Sequence, residues 1–570
     1  MGYNPARMFA AGAQVARSRW LLVGILALFI ISASLTLSRY YFIQPDSAYL
    51  LALGKNIAGG NGLTINNGPH WRYPPAYPAL AGWLYLLLGD LEAAGHLVSV
   101  LSGVLTIALV YTLTARKYDR RTALIAALLL ALNPLFVWIC TAATAEGFYA
   151  LAYASFILVM LALLSRPSWW AALSAGLVAA VAYLTRAEGF LFLPLGFVTL
   201  LVAWWRGRRG WAASSAALAL FLAGWLALAF PYMLFLRENL GGWTVSGKIT
   251  QNIERVSEAI YTGDERQLRE QPFWMHESPG LLPYLVGNFP RVAERYIGFT
   301  LAALKQAISE AWPILLLFIW FCVLGLRDGT TRGWHLLWFA SPLVIYPLAH
   351  IEIRYVTPTF VALAPLIAWG MSRAWSPLRE ADRMVRLRRG LVILTIVILM
   401  VGNGLYVRKI PEAPTEQKAL AEWMLKNLPD ARSARISAQF PYVNFYTGNE
   451  DFRYLPWTDT LAEGLSLARS RHLDYLVIDR RTIPIARPYL AGLLDPSSIP
   501  PGVELVKTLT PPEVPQEILL YRVLGGEVDI EGEPVEVEWD SDADLAERED
   551  YPRWPPRGEY AGRPSERESE

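Results

Sequence analysis

A chain of 570 residues that is 54% hydrophobic and only 18% charged is too apolar for an ordinary soluble protein. Its net charge of +2 gives no sign of nucleic-acid binding. The two cysteines, Cys140 and Cys322, stand far apart in apolar segments, which excludes the spacing of a metal or redox pair and reads as small core residues. The 22 Trp and 27 Tyr suit a protein with many membrane–water interfaces, where amphipathic rings settle.

A hydrocarbon core about 30 Å thick needs roughly 20 apolar residues of helix. Runs near that length fall at Trp20–Leu37, Glu92–Leu113, Thr122–Ile139, Gly147–Leu164, Trp169–Thr185 and Phe190–Trp205. Others follow at Trp211–Leu236, Ala311–Leu326, Trp334–Ala349, Tyr355–Met371 and Leu391–Tyr406. The expected fold class is therefore a mainly α, polytopic membrane protein of about eleven spans. The first run also fits a signal peptide, but its roughly 18 apolar residues exceed a typical signal core, so it is read as an anchor. Tyr73–Gly89 is apolar too, yet it opens with Pro74, Pro75 and Pro78 and reads as an interfacial or re-entrant helix.

Basic residues cluster in alternate loops: Arg116, Lys117, Arg120 and Arg121; Arg206, Arg208 and Arg209; Arg327 and Arg332; and Arg373 to Arg389. With Arg7, Arg17 and Arg19 they mark the cytoplasmic side, which puts the N-terminus inside and a C-terminal domain outside. Two outer loops are long, 38–91 and 237–310, and loops of that size are usually binding surfaces or covers. The second carries Trp243 and Trp274, with Trp312 just beyond it.

After the membrane module (1–408), residues 409–524 read as a small α/β domain. Glu416–Leu428 and Leu461–Ser470 have helical periodicity, and Ala434–Ala438, Tyr475–Asp479, Val503–Leu509 and Ile518–Val523 look like strands. Such a domain stands where it would help bind an acceptor. Residues 525–570 are acidic, proline-containing and poor in aliphatics, as in a disordered tail. The absence of a P-loop, a dinucleotide fingerprint and internal repeats argues against an ATP-driven pump.

Charged groups near a membrane are costly unless paired or hydrated, so Asp46, Arg72, Glu146, Arg186, Glu188, His350, Glu352 and Arg354 draw attention. On this topology all lie at one membrane level, at outer span ends or in the first outer loop. A sugar leaving a phosphate needs no general acid. It needs one base for the incoming hydroxyl and cations for the departing charge. Arginine suits the second task because its planar fork matches phosphate oxygens.

The first outer loop, QPDSAYLLALGKNIAGGNGL followed by WRYPPAYPAL, resembles that of the C-type membrane glycosyltransferases, in the protein O-mannosyltransferase and aminoarabinose-transferase branch. TAEGFYALAYASFIL, TRAEGFLFLPLGF and HIEIRYVTPTFVALAPLIAWG resemble its later spans in the same order. The resemblance implies a polyprenyl-phosphate sugar donor, a glycan, lipid or protein acceptor, inversion at the anomeric carbon, and Asp46 as the base. It places Arg72 and Tyr73, before the two prolines, near the carrier phosphate, with Arg354 as a second phosphate candidate. Relatives often carry a second acid after the catalytic one, where this chain has Ser47, which leaves any metal or acceptor contact of that acid in doubt.

Plainer roles stand beside these. Asp46 fits a helix cap for Ser47–Ala58, and interfacial arginines also anchor in lipid headgroups. Arg186 and Glu188 fit a structural pair, and Glu146 a structural or acceptor contact. His350 and Glu352 resemble a divalent-metal pair, although two ligands are too few to define a site, and no cofactor is otherwise implied. A lipid-linked-sugar flippase would place its polar groups near the midplane in paired repeats, unlike this sequence. A catalytically inactive scaffold remains open on the altered Asp46–Ser47 pair. The compact loops point to a prokaryotic plasma (inner) membrane.

Overall fold

A computed structural model describes residues 5–65, 68–165, 168–205, 211–249, 252–253, 281–311, 314–326, 333–349, 352–375, 383–455, 458 and 460–525. His350, Trp274, Trp312, the basic clusters at 206–209 and 327–332, and the expected acidic tail beyond 525 lie outside the described residues. The chain is mainly helical and divides into two compact units. One comprises residues 1–41, 71–247 and 297–410; the other comprises 42–70, 248–296 and 411–570.

The first unit is a bundle. In chain order it contains α1 (Pro5–Arg39), then, after the second unit's α2 (Pro45–Ala58), α3 (Ala76–Leu88), α4 (Leu91–Lys117) and α5 (Arg120–Leu132). Next come α6 (Pro134–Ile139), α7 (Ala145–Ser165), α8 (Trp169–Thr185), α9 (Phe192–Trp205) and α10 (Trp211–Leu240). The helices Ile314–Leu326, Gly333–Leu343, Phe360–Trp375 and Arg383–Lys409 also belong to it. Among the described residues, seven helices are long and apolar enough to cross a membrane, and four shorter apolar ones, of 10–17 residues, accompany them. The protein is a multi-pass membrane protein.

Local chemistry explains where the helices differ from the expected runs. The run Thr122–Ile139 is two helices, because Pro134 has no N–H to donate and Asn133 starts a new helix, its Oδ1 accepting from the N–H groups of Leu135 and Phe136. The run Trp334–Ala349 is likewise interrupted, between Leu343 and Tyr346. α3 has 13 residues, about 20 Å of helix, well short of the hydrocarbon thickness. It follows Pro74 and Pro75 and stops at Gly89, whose φ of 70° is left-handed.

Two helix pairs approach closely through reciprocal glycines. A β-carbon at Gly176 of α8 would collide with the Phe221 carbonyl of α10, and one at Gly224 of α10 with the Leu173 carbonyl of α8. Gly370 and Gly325 stand in the same relation to Phe321 and Leu366, joining Phe360–Trp375 to Ile314–Leu326. Small residues of this kind let backbones pack where lipid supplies no hydrophobic drive between helices.

The second unit contains a five-stranded mixed sheet of order β4-β3-β5-β7-β6. Its strands are β3 (Ile436–Ala438), β4 (Arg453–Tyr454), β5 (Tyr475–Asp479), β6 (Val503–Leu509) and β7 (Ile518–Val523). β3 runs parallel to β4 and β5, whereas β7 is antiparallel to both β5 and β6, with Val477 opposite Leu520. Alternation along the strands sorts side chains to two faces. Val477, Ile518 and Leu520 pack with Leu420 and Met424 of helix Thr415–Asn427. Leu476, Ile478, Leu519 and Tyr521 pack with Leu465 and Ala468 of helix Leu461–Ser470. The same unit holds α2 and a small hairpin, β1 (Thr64–Ile65) with β2 (Gly68–Pro69).

Candidate active site

Within the membrane bundle, the ends of α7 and α8 and the segment 352–355 bring five of the sequence-selected charges together. Glu146 stands in the first turn of α7, 3% exposed. Arg186 directly follows α8 and joins two carboxylates, Glu146 through Nη1 and Glu188 through Nε at 2.6 Å. Glu352 starts the short helix Ile353–Val356, and its Oε2 receives Nε of Arg354 at 2.6 Å.

The element that links these pairs is Tyr355. Its ring centroid lies 4.6 Å from Cζ of Arg186 and 5.0 Å from Cζ of Arg354, and Nη2 of Arg354 donates to its hydroxyl at 3.1 Å. Two guanidiniums on one ring, each also joined to a carboxylate, make a rigid charged layer. The expected structural pair of Arg186 and Glu188 is present, but it is part of a larger assembly that includes Glu146.

Tyr149 of α7 and Tyr346 are buried beside this layer and interact with Arg186 and Glu188 electrostatically. Among the described residues neither hydroxyl has a hydrogen-bond partner, and the same holds for Oε2 of Glu146. Sequence reading missed Tyr355, Tyr149 and Tyr346. The first was adjacent to a selected arginine, and the other two were hidden among interfacial aromatics.

Arg72 is also buried in the membrane unit, its guanidinium 5.9 Å from the Tyr73 ring centroid. Asp46 belongs to the other unit, in the first turn of α2. It does not cap that helix. α2 begins at Pro45 with Gln44 as N-cap, and Ser47 Oγ accepts from the Gln44 N–H at 3.1 Å. Ser47 is fully buried, and its hydroxyl helps to close the start of the helix.

No group of three or more His, Cys, Asp or Glu able to hold a metal ion occurs among the described residues, and His350 lies outside them.

Residues 72–234 match the family described as dolichyl-phosphate-mannose-protein mannosyltransferase. No curated protein matches the sequence. Among solved structures, the fold is similar to that of the Archaeoglobus fulgidus oligosaccharyltransferase in complex with Zn and sulfate, with a TM-score of 0.54 and 14% identity over 86% of this chain and 72% of that one. It is also similar to ArnT from Cupriavidus metallidurans bound to undecaprenyl phosphate, with a TM-score of 0.52 and 14% identity over 89% of this chain and 99% of that one. The helical architecture and the membrane spans agree with this likeness in fold, and the family match falls on the stretch from α3 to α10 of the membrane bundle.

Proposed function

We propose that this protein transfers a sugar, with inversion, from a polyprenyl-phosphate-linked donor to a hydroxyl acceptor on the extracytoplasmic face of the plasma membrane. The observation that carries the reading is Asp46, which stands in the first turn of a largely buried helix whose N-cap is Gln44. The family match over residues 72–234 supports a lipid-phosphate donor. So does the ability of ArnT, which has a similar fold, to bind undecaprenyl phosphate.

In this reading Asp46 takes the proton of the acceptor hydroxyl. The acceptor oxygen forms a bond to the anomeric carbon as the bond from that carbon to the phosphate oxygen breaks. The electron pair leaves with the polyprenyl phosphate, whose charge Arg72 and Arg354 stabilise. The phosphate is already a weak base, so no group need protonate it. Tyr73 lines the donor site, and Glu146, Arg186, Glu188 and Glu352 hold the charged layer in place beside the sugar and acceptor hydroxyls. His350 belongs to the same segment in sequence.

The test is transfer of label by the purified full-length protein from a panel of radiolabelled polyprenyl-phosphate monosaccharides. Acceptor-dependent transfer that collapses in Asp46→Asn is expected. Movement of intact donor across liposomes without transfer would replace this reading with a flippase.

A further inference from the structure

α2 is gripped along its length by residues that lie almost 400 positions away in sequence. Just before the helix, the Phe42 ring meets Tyr442 edge-on at 4.9 Å and Tyr446 at 5.4 Å. In the middle, fully buried Tyr49 donates its hydroxyl to that of Tyr454 at 3.1 Å and meets the Phe452 ring edge-on at 4.9 Å. In its last turn, one carboxylate takes two donors: Glu450 Oε1 accepts from Lys55 Nζ at 2.9 Å and Oε2 from Asn56 Nδ2 at 2.8 Å. The Asn56 amide also donates to the Thr64 carbonyl at 2.8 Å, tying the helix end to the hairpin. Tyr454 belongs to β4, the edge strand of the sheet, so the middle of α2 is tied to that edge through Tyr49.

We infer that Glu450 is a positioning residue for the Asp46 helix, and that the C-terminal sheet domain serves the reaction by fixing where the Asp46 carboxylate stands. This rests on the reading of Asp46 as the base. Tyr49 and Asn56 are seven residues apart, two turns, and so share one face of the helix, with Asp46 one turn before Tyr49. Contacts just before the helix, in its middle and in its last turn fix both tilt and rotation. Removing the last lets the helix turn about the Tyr49 contact and moves Asp46.

Magnitudes separate this from simple stabilisation. The side chains of Lys55 and Glu450 are 41% and 29% exposed, and an ion pair that open to solvent adds little to stability. Asn56 is only 7% exposed, and its amide is the point where Glu450 meets the helix end. Geometry, rather than folding energy, is what Glu450 supplies. A displacement of about 1 Å at a reacting group can cost about 10²-fold in rate.

The experiment compares purified full-length wild type, Glu450→Ala, Glu450→Gln, Lys55→Ala, the Lys55→Ala/Glu450→Ala double variant and Asp46→Asn. The probe is a radiolabelled undecaprenyl-phosphate hexose that the wild type turns over. Glu450→Ala should lower kcat by about tenfold or more while leaving KM for the donor and the thermal midpoint near wild type. Glu450→Gln should recover most of the rate, because its amide oxygen still accepts from Asn56. The double variant should be no worse than Glu450→Ala alone. Independently of turnover, hydrogen exchange across residues 45–58 should rise in Glu450→Ala. Wild-type kcat in Glu450→Ala beside a collapsed Asp46→Asn would overturn the positioning role and leave the base intact. Loss of rate that tracks a lowered midpoint and is not rescued by Gln would reduce Glu450 to a structural residue. An inert Asp46→Asn would remove the reading on which both rest, and unchanged hydrogen exchange would overturn the clamp without reference to activity.

Discussion

The guanidinium of Arg186 lies over the ring of Tyr355, 4.6 Å from its centroid, while holding the carboxylates of Glu146 and Glu188. Arg186 therefore neutralises acids that enter the bundle at the start of α7 and after α8, and the aromatic face fixes its plane. Arg186→Met would leave Glu146 buried without its cation, a situation that costs about 3–5 kcal/mol. The expected result is a clearly lowered thermal midpoint in detergent, whereas Glu146→Gln, which removes the charge instead of stranding it, should cost much less. Equal midpoints for the two variants would show that the layer is not a matched set of charges.

Ser47 closes the N-terminus of α2, so Ser47→Ala should weaken the start of that helix by about 1 kcal/mol. Replacing it with an acid has a different consequence. Ser47 is fully buried, and Ser47→Asp would place a charge there with no room for water. Activity should fall in Ser47→Asp more than in Ser47→Ala, measured as transfer per folded molecule. Enhanced activity in Ser47→Asp would mean that the second acid has a catalytic place after all.

The reciprocal glycines make a sharp demand on the bundle. Gly176→Leu forces apart α8 and α10 at a backbone contact, where overpacking costs about 1–3 kcal/mol or more. Size-exclusion profiles and midpoints should deteriorate for Gly176→Leu, while Gly24→Leu, where a β-carbon meets nothing within 4 Å, should behave as wild type.

The sheet domain carries a pH signature. Burial raises the Asp479 carboxyl above its ordinary value, against the opposing bonds from the Thr482 N–H and hydroxyl. An acid with a raised folded-state pKa favours the fold fully below its unfolded value, about 4. That contribution is lost as pH rises through the folded value. Exchange protection of β5 and β7 in the full-length protein should therefore decline as pH increases above about 4, after correction for intrinsic exchange. Asp479→Asn should flatten this dependence. A wild-type dependence of the opposite sign would contradict the assignment.

Much of the membrane architecture was legible because a span announces itself as a continuous run of apolar residues. The breaks were less so. The Asn133–Pro134 pair is a readable stop signal, yet it sits inside a run apolar enough to pass for one span. The charges Glu146, Arg186, Glu188, Glu352 and Arg354 could be selected because polar groups are rare at such positions. Their joining through Tyr355 could not be read, since interfacial tyrosines are common and periodicity does not tell which ring receives two cations. The helix of Asp46 shows the other limit. Local spacing suggested a cap by Asp46, while the Gln44–Ser47 pairing one step away starts the helix earlier. Nothing in the sequence near Lys55 and Asn56 pointed to Glu450, because that contact spans almost the whole membrane module.

The measurement that tests the account most directly is the rate of sugar transfer from a radiolabelled polyprenyl-phosphate donor by wild type and Asp46→Asn, with matched midpoints confirming that both are folded. The account predicts acceptor-dependent transfer that falls by about 10²–10⁴-fold in the variant, as for a lost general base. Transfer at the wild-type rate by Asp46→Asn would contradict it and move the base elsewhere, with Glu146 the first residue to test.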